Sequence, residues 1–334
     1  MTPQSDDAAF RERLALAAAR IEPVLEELLP RGGAEFLSEA IWYHLESGGK
    51  RIRPAICLLT CESLGGDSSR ALHVAAAVEI LHNTLLIHDD LEDGDTIRRD
   101  REAVWVRYGL SNAVNVGDYL FGAACRAVLK SPLPAETVVR LLYAFTDAYE
   151  TTCRGQALDM NWRARPDLAV EDYLRMVTLK TGRYMAIGMV GGAIIADQSV
   201  GVQEAIGRLG DCMGAAFQIR DDWIDLTVGK GRGGMTGNDI REGKCSILYV
   251  HALSAAEPRD RADLVRIMAK PRQDTTDADV ERVRGIYERC GSVEFARQEA
   301  DRLVQRAYET IETIPVGDKA FFRRLTSFMV ERAT

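Results

Sequence analysis

The sequence predicts an all-α protein, a single large helical bundle of ten or more helices. Two observations lead to this prediction. Apolar residues recur with helical periodicity along most of the chain, and no segment shows the sustained alternation of a β-strand between turn residues. No stretch rich in glycine, serine or proline is long enough to separate domains, so we expect one domain over residues 1–334.

Start and stop signals place the individual helices. Glycines and prolines end the first ones, Pro54 suits the first turn of another, and a further helix is expected after Ser131. Thr276 is a predicted N-cap, with Gly291 just beyond the end of its helix. The predicted segments are Asp6 to Leu29, Phe36 to Glu46, Ser68 or Ser69 to Asp93, Thr276 to Cys290, and Ser292 to Ile314.

Composition excludes several classes of function. The 334 residues are 46% apolar and 28% charged, which suffices for a large core, and the formal net charge is −8. No long basic run is present, which argues against nucleic acid as a partner. If an acidic protein of this kind binds an anionic ligand, it must gather its basic residues locally or recruit metal ions.

Cysteine spacing and hydropathy indicate a reducing, aqueous compartment. The seven cysteines are odd in number and form no C-x-x-C pair, so we expect reduced thiols; they are Cys57, Cys61, Cys125, Cys153, Cys212, Cys245 and Cys290. No signal peptide is evident. The most apolar segment, Tyr184 to Ala196, has 13 residues. A membrane span needs about 20 residues. We therefore expect no transmembrane segment and a cytoplasmic location.

Two Asp-Asp-x-x-Asp clusters carry the chemistry, one at Asp89–Asp93 and one at Asp221–Asp225. The first and last carboxylates of each share one helix face and repel each other. Each cluster follows an apolar helix, where uncompensated charge is costly. The alternative is a solvated acidic helix end paired with arginines, but two copies of one pattern favour a cation such as Mg²⁺, which prefers oxygen ligands.

Basic residues lie near each cluster in the sequence. Gly48–Pro54 reads GGKRIRP and offers Lys50 and Arg53 to one diphosphate; Arg98 and Arg99 follow the first cluster. Lys180 and Thr181 precede Gly182 at an expected helix break, and Lys244 follows the second cluster. His82 lies two turns before Asp89 on nearly the same face, which admits either a structural role or a ligand role.

In combination these motifs resemble the trans-isoprenyl diphosphate synthases, the polyprenyl synthetase family, which includes farnesyl and geranylgeranyl diphosphate synthases. The resemblance covers nearly the whole chain. The matching segments are GGKRIRP at 48–54, ILHNTLLIHDDLED at 80–93, RR at 98–99, GDYL at 117–120, GQ at 155–156, KTG at 180–182, FQIRDDWID at 217–225 and NDIREGK at 238–244.

The resemblance implies a homodimeric all-α fold around a deep central cavity, with the clusters facing each other across its mouth and three Mg²⁺ ions bound with an allylic diphosphate. The implied metal ligands are Asp89, Asp93 and Asp221, with Asp90, Asp222 and Asp225 as ligands or as their support. The implied isopentenyl diphosphate contacts are Lys50, Arg53, His82 and Arg99, and the allylic diphosphate contacts are Arg98, Lys180 and Lys244. Thr181 and Gln218 match groups near the developing carbocation, so the catalytic set is Asp89, Asp90, Asp93, Lys180, Thr181 and Gln218.

Three positions depart from the family pattern. Asp100 stands where the family has glycine, and Trp105 where it has histidine. Gly234 occupies the place of a diphosphate-binding lysine. We expect Lys230 or Arg232, in the same glycine-rich stretch, to replace that lysine.

Bulk beneath the first cluster sets product length in the family. Thr84 is small where farnesyl-forming enzymes commonly carry an aromatic residue, so geranylgeranyl diphosphate is the expected product, with longer chains or farnesyl diphosphate as alternatives. Two other functions stay open. A terpene cyclase on the same fold would lack the isopentenyl diphosphate contacts, and a non-catalytic partner subunit would have lost carboxylates.

Overall fold

The protein is all-α in the computed structural model, which describes residues 3–29, 31–32, 36–227, 236–315 and 317–331. Helices account for most of these residues, as the sequence predicts. The helices are α1 Pro3–Ala19, α2 Glu22–Leu28, α3 Phe36–Leu45, α4 Ile52–Ser63, α5 Leu72–Glu92, α6 Val104–Tyr108, α7 Leu110–Leu129, α8 Ala135–Asn161, α9 Val170–Val177, α10 Arg183–Ile195, α11 Val200–Thr227, α12 Asn238–Arg241, α13 Ile247–Ala255, α14 Pro258–Met268, α15 Asp277–Arg289, α16 Ser292–Thr313 and α17 Lys319–Glu331.

Two boundary predictions were wrong. The helix expected from Asp6 to Leu29 is two helices, α1 and α2. Pro23 lies in the first turn of α2, where its ring would clash with the Ala19 carbonyl of a continuous helix and its nitrogen cannot donate. The expected cap at Ser68 or Ser69 is instead Asp67, which accepts from the Ser69 amide at 2.9 Å and begins a 3₁₀ turn before α5.

Other helix signals were correct. Thr276 caps α15, and its hydroxyl and the Asp279 carboxylate form a reciprocal capping box. Gly291 follows α15 with a φ of 68°, a left-handed conformation that glycine adopts at low cost.

A short hairpin joins α5 to α6 and is the sole β-structure among the residues described. Strands β1, Ile97–Arg98, and β2, Arg101–Glu102, pair antiparallel. The two turn residues, Arg99 and Asp100, have φ of 52° and 62°, as a type I′ turn requires. Glycine fits this turn with least strain, and aspartate is one of the few other residues that tolerate it. Asp100 therefore preserves the turn at the position where the family pattern has glycine.

The chain divides into two compact units. The first comprises the described residues of Met1–Asp147, Ala186–Gly207 and Ile314–Arg324, and the second those of Ala148–Met185, Arg208–Thr313 and Leu325–Thr334. In the first unit α5 packs against α4 and α7. In the second, apolar side chains from α9, α11 and α13–α16 form a continuous buried cluster. The expected single domain over residues 1–334 stays a prediction.

One segment, Ser68–Glu92, is long and apolar enough by composition alone to cross a membrane, considering only the part of the chain that the structure describes. Within it, 67% of the most apolar window is buried inside the protein. The same segment contains α5 and ends in Asp89 and Asp90. These features are those of a core helix that carries charged residues at its end.

Candidate active site

The first acidic cluster lies at the C-terminal end of α5. The Asp93 amide donates to the Asp89 carbonyl at 2.9 Å, so these residues are one turn apart, as predicted. The C-terminal end of a helix carries a partial negative charge, which adds to the repulsion between the carboxylates. Asp89 is 27% exposed, whereas Asp90 is 1% exposed. The end of this helix therefore favours a cation.

Asp90 is tied to the hairpin through Arg98. The Arg98 guanidinium donates to Asp90 Oδ1, with Nε at 2.7 Å. Asp95 and Asp89 lie at 3.7 and 3.8 Å from the same guanidinium. Burial raises the pKa of Asp90 to about 6, although Arg98 opposes this shift. The structure thus brings Arg98 to the first cluster, and Asp90 is the carboxylate that holds it.

A buried ion pair holds the Gly48–Arg51 loop, which leads into α4. Arg51 adopts a left-handed conformation with φ of 44°, and its guanidinium donates to Glu79 at 2.8 Å and to the Leu45 carbonyl at 3.0 Å. Arg99 donates to the Gly48 carbonyl from the hairpin side. A loop held at both ends leaves the intervening Lys50 side chain exposed.

Arg53 and His82, two of the predicted site residues, lie in contact. Arg53 Nη1 lies 3.3 Å from His82 Nε2. A guanidinium can only donate, so Nε2 accepts and the ring proton lies on Nδ1. Burial and the nearby arginines lower the pKa of His82 well below its ordinary value, which keeps the ring neutral. The first unit therefore gathers basic groups beside the first cluster.

In the second unit, the predicted break at Lys180–Gly182 is instead a π-helical turn, Thr178–Gly182, between α9 and α10. Two glycines let neighbouring helices approach it. A Cβ on Gly155 would lie 2.3 Å from the Lys180 amide nitrogen, and one on Gly214 would lie 2.7 Å from the Gly182 Cα. Because the opposing atoms are backbone, only glycine fits at either position without displacement.

Lys180 projects from this turn onto a buried carboxylate. Its Nζ donates to Asp159 Oδ2 at 2.6 Å. Burial opposes ionisation of Asp159, but Lys180 and then Lys244 outweigh it and lower the pKa of Asp159 to about 2. Lys244 also lies 4.0 Å from Asp239. The second unit therefore brings Lys180 and Lys244 to a common anionic partner.

The second acidic cluster lies at the C-terminal end of α11, and its three carboxylates have different surroundings. Asp221 is partly exposed. Asp222 is 2% exposed and accepts from the Tyr173 hydroxyl and the Ile247 amide. Asp225 is buried and accepts from the Asp239 amide at 3.0 Å. Asp221 is the member most accessible to a ligand.

Thr181 and Gln218, two further predicted site residues, are adjacent. The Thr181 hydroxyl donates to Gln218 Oε1 at 3.3 Å. The expected replacement of the missing lysine falls outside the described residues, since Lys230, Arg232 and Gly234 all belong to the stretch 228–235.

Four supporting residues were missed from the sequence: Glu79, Asp95, Asp159 and Tyr173. Asp95, Asp159 and Tyr173 each contact a predicted site residue from a position that shows no motif of its own. Glu79 instead pairs with Arg51, which lies between the predicted residues Lys50 and Arg53. Asp159 is the one with a detectable signal, because it follows Gln156 by one helical turn and so continues the GQ motif along the same face.

Comparisons with known proteins agree with this geometry. A family model described as polyprenyl synthetase matches residues 34–287. The short chain isoprenyl diphosphate synthase of Methanothermobacter thermautotrophicus is 35% identical over 325 residues, 97% of each chain. The structure of geranylgeranyl pyrophosphate synthetase from Pyrococcus horikoshii has a TM-score of 0.89 at 31% identity, covering 98% of this chain and 99% of that one. A Caulobacter crescentus polyprenyl synthase, solved with calcium and isoprenyl diphosphate, has a TM-score of 0.85 at 26% identity, covering 97% and 98%.

An all-α fold with carboxylate clusters at the ends of two long helices, each with basic groups nearby, defines a class of enzymes that act on diphosphates. Within that class, the chain belongs to the polyprenyl synthetase family. The predicted family, the all-α fold and the class of isoprenyl diphosphate synthases, which are trans-prenyltransferases, are thereby confirmed.

Proposed function

We propose that this protein is a chain-elongating trans-prenyltransferase that condenses isopentenyl diphosphate with an allylic diphosphate. The observation that carries the proposal is the accumulation of carboxylates at the C-terminal ends of α5 and α11, where helix dipoles increase the need for cations. Names of relatives agree, since they are isoprenyl diphosphate synthases.

Magnesium is the proposed metal, with three ions as the family resemblance implies. No three His, Cys, Asp or Glu side chains converge on a metal position among the residues described. Mg²⁺ does not require such a cage, because it usually takes one or two protein carboxylates and completes its shell with water and substrate phosphate. The partly exposed Asp89 and Asp221 fit that pattern, with Asp93 beside the former. Calcium in the Caulobacter relative supports a divalent ion.

Asp90, Asp222 and Asp225 are proposed to support the metal ligands. All three are buried, and each already accepts a hydrogen bond or an ion pair from the protein. Burying a carboxylate without such partners would be costly. Their position therefore suits them to hold neighbouring groups in place.

Isopentenyl diphosphate is proposed to bind Lys50, Arg53, His82 and Arg99. The 3.3 Å contact between Arg53 and His82 and the exposed position of Lys50 support this assignment. A terpene cyclase needs no second diphosphate, so these residues favour elongation. Arg98, Lys180 and Lys244 are the proposed allylic diphosphate contacts, with Lys230 or Arg232 as a further one.

The chain's residues have distinct tasks in the reaction. Bound magnesium would neutralise charge on the departing diphosphate. Lys180 and Lys244 would hold that diphosphate as fixed positive charges. Thr181 and Gln218 would present oxygens to the allylic cation, which the double bond of isopentenyl diphosphate then attacks. The departing diphosphate would take the released proton, so no side-chain base is required.

Geranylgeranyl diphosphate is the proposed product. Thr84 on α5 is fully buried and small, and its hydroxyl donates to the Ile80 carbonyl at 3.2 Å. A residue this small leaves more room for a growing apolar chain than the aromatic residue common in farnesyl-forming enzymes would. The Pyrococcus relative is a geranylgeranyl pyrophosphate synthetase, which agrees with this length.

A cytoplasmic homodimer is the proposed state of the enzyme. Large apolar side chains are exposed on α7 and α8 in the first unit, namely Leu110, Val114, Val139 and Tyr143. Exposed apolar groups of this kind are frequent at protein–protein interfaces.

Metal dependence in matched variants tests the proposal. Purified wild type should incorporate isopentenyl diphosphate only with Mg²⁺. Asp89→Asn and Asp221→Asn should each lose about 10²-fold or more in kcat and need more Mg²⁺. Asp301→Asn, on the exposed side of α16, should behave as wild type. Equal activity of all four proteins would contradict the assignment of the two clusters.

A further inference from the structure

Asp222 is the centre of a buried hydrogen-bond chain in the second unit. Its Oδ2 accepts from the Tyr173 hydroxyl at 2.7 Å and from the Ile247 amide at 3.2 Å. Its Oδ1 accepts from Gln218 Nε2 at 3.0 Å, one helical turn earlier on α11. The chain continues from Gln218 Oε1 to the Thr181 hydroxyl in the π turn. Donors from α9, from α13 and from the preceding turn of α11 thus converge on one carboxylate.

An ionised carboxylate can only accept hydrogen bonds, and this fixes the orientation of the Gln218 amide. Its NH₂ group must point at Asp222, so its carbonyl oxygen must point away, towards Thr181. Turning the amide over would place two oxygens against each other at about 3 Å and leave the NH₂ group facing Thr181. Asp222 therefore selects one of two otherwise isosteric orientations.

The orientation decides the sign of the charge that Gln218 presents. A carbonyl oxygen is the negative end of the amide dipole and stabilises a nearby cation, whereas an NH₂ group repels it. We propose that Asp222 is a positioning residue that locks Gln218 with its carbonyl oxygen towards the Thr181 side, where the allylic cation forms. This inference rests on the proposed prenyltransferase function and adds a role for a carboxylate of the second cluster.

Tyr173 holds the other oxygen of the Asp222 carboxylate. It is 1% exposed, and its hydroxyl lies on the Oδ2 edge, opposite the Gln218 contact. The hydroxyl donates its hydrogen bond to Oδ2 of Asp222. With Ile247 it fixes the plane of the carboxylate. Such a constraint limits the positions that Oδ1 can take.

A double-mutant cycle distinguishes a positioning role of Asp222 from a role as a metal ligand. Asp222→Asn keeps the size of the side chain but can donate as well as accept, so Gln218 is free to turn. We expect Asp222→Asn to lower kcat about 10- to 100-fold while the Mg²⁺ midpoint stays near that of wild type. Because Asp222 acts through Gln218, adding it to Gln218→Ala should cost no further activity. The proposal would be overturned if the losses of kcat from Asp222→Asn and Gln218→Ala multiplied in the double variant. It would also be overturned if Asp222→Asn shifted the Mg²⁺ midpoint as far as Asp221→Asn does.

Tyr173→Phe provides a second test that does not alter any carboxylate. It should lower kcat less than Asp222→Asn, leave both substrate KM values unchanged, and again have no added effect in the Gln218→Ala background. Tyr249→Phe is the matched control, since it removes a hydroxyl that donates to the Arg165 carbonyl at 3.0 Å elsewhere in the same unit. Equal kinetic effects of Tyr173→Phe and Tyr249→Phe would contradict the proposal that Asp222 positions Gln218. This comparison tests the proposal even if Asp222→Asn fails to fold.

The wild-type enzyme separates failure of this inference from failure of the proposed function. A wild type that does not extend an allylic diphosphate with isopentenyl diphosphate contradicts the function itself. An active wild type whose Asp222 and Gln218 substitutions act independently contradicts only the lock.

Discussion

Burial decides the protonation of His44, which lies beside the Gly48–Arg51 loop. His44 is 2% exposed, and its burial together with Arg99, Arg98 and Arg51 lowers its pKa to about 3. A protonated imidazole at this position would add positive charge to a site that already holds several arginines. The neutral ring therefore lets basic residues accumulate beneath the loop.

This depressed pKa predicts loss of stability in mild acid. The unfolded chain protonates His44 below about pH 6.5, whereas the folded chain does not until about pH 3, so stability falls as the pH drops through this window. By pH 5 the loss from His44 is about 2 kcal/mol. Urea unfolding of wild type and His44→Asn at pH 7.5 and pH 5 measures it. The variant should lose about 2 kcal/mol less between the two pH values, and an equal loss would contradict the assignment.

Thr84 is predicted to set product length. It lies five residues before Asp89, about 7.5 Å along α5, and an aromatic ring there would fill the path of a growing chain. Thr84→Phe should shorten the product, while the matched variant Thr84→Val, which keeps the volume, should not. Chromatography of the dephosphorylated products provides the measurement. An unchanged product length in Thr84→Phe would show that Thr84 does not limit chain length.

The π turn that carries Lys180 and Thr181 is held by helices that approach it closely. Gly155 on α8 and Gly214 on α11 approach this turn, and a Cβ on either would meet backbone atoms. Backbone cannot rotate out of the way as a side chain can. The position of Thr181 therefore depends on two glycines distant from it in the sequence.

Substitution of these glycines should separate packing from helix propensity. Gly214→Ala should destabilise the protein by about 1–3 kcal/mol through overpacking and should also lower kcat. Gly201→Ala lies on the same helix with open space around the added Cβ, and it should stay within about 1 kcal/mol of wild type. Thermal unfolding and steady-state kinetics on both variants test this. Similar stability and activity of the two would show that α11 does not constrain the turn.

Sequence reasoning located the motifs because they depend on local spacing. Arg53 with His82 and Arg98 with Asp90 were each found together where the motifs predicted basic groups beside the first cluster. Partners from distant elements could not be found in this way. Tyr173, for example, binds Asp222, which lies 49 residues further along the chain. The division of the first helix was also missed, since helical periodicity continues past Pro23 although the backbone cannot.

Exposed apolar side chains on α7 and α8 predict a homodimer. Tyr143 is 75% exposed and Val139 66% exposed. Replacing both with aspartate should halve the mass measured by light scattering, because burying unpaired charge in an interface is costly. Leu16→Asp on α1, which is 65% exposed, is the matched control and should leave the mass unchanged. A monomeric wild type would contradict the predicted dimer.

Identification of the product tests whether this chain elongates prenyl diphosphates. Pure protein is incubated with Mg²⁺, labelled isopentenyl diphosphate and each of dimethylallyl, geranyl and farnesyl diphosphate, and the products are separated by chain length. We predict label in geranylgeranyl diphosphate. Cyclic hydrocarbon formed without incorporation of label, or no turnover with any primer, would contradict the claim.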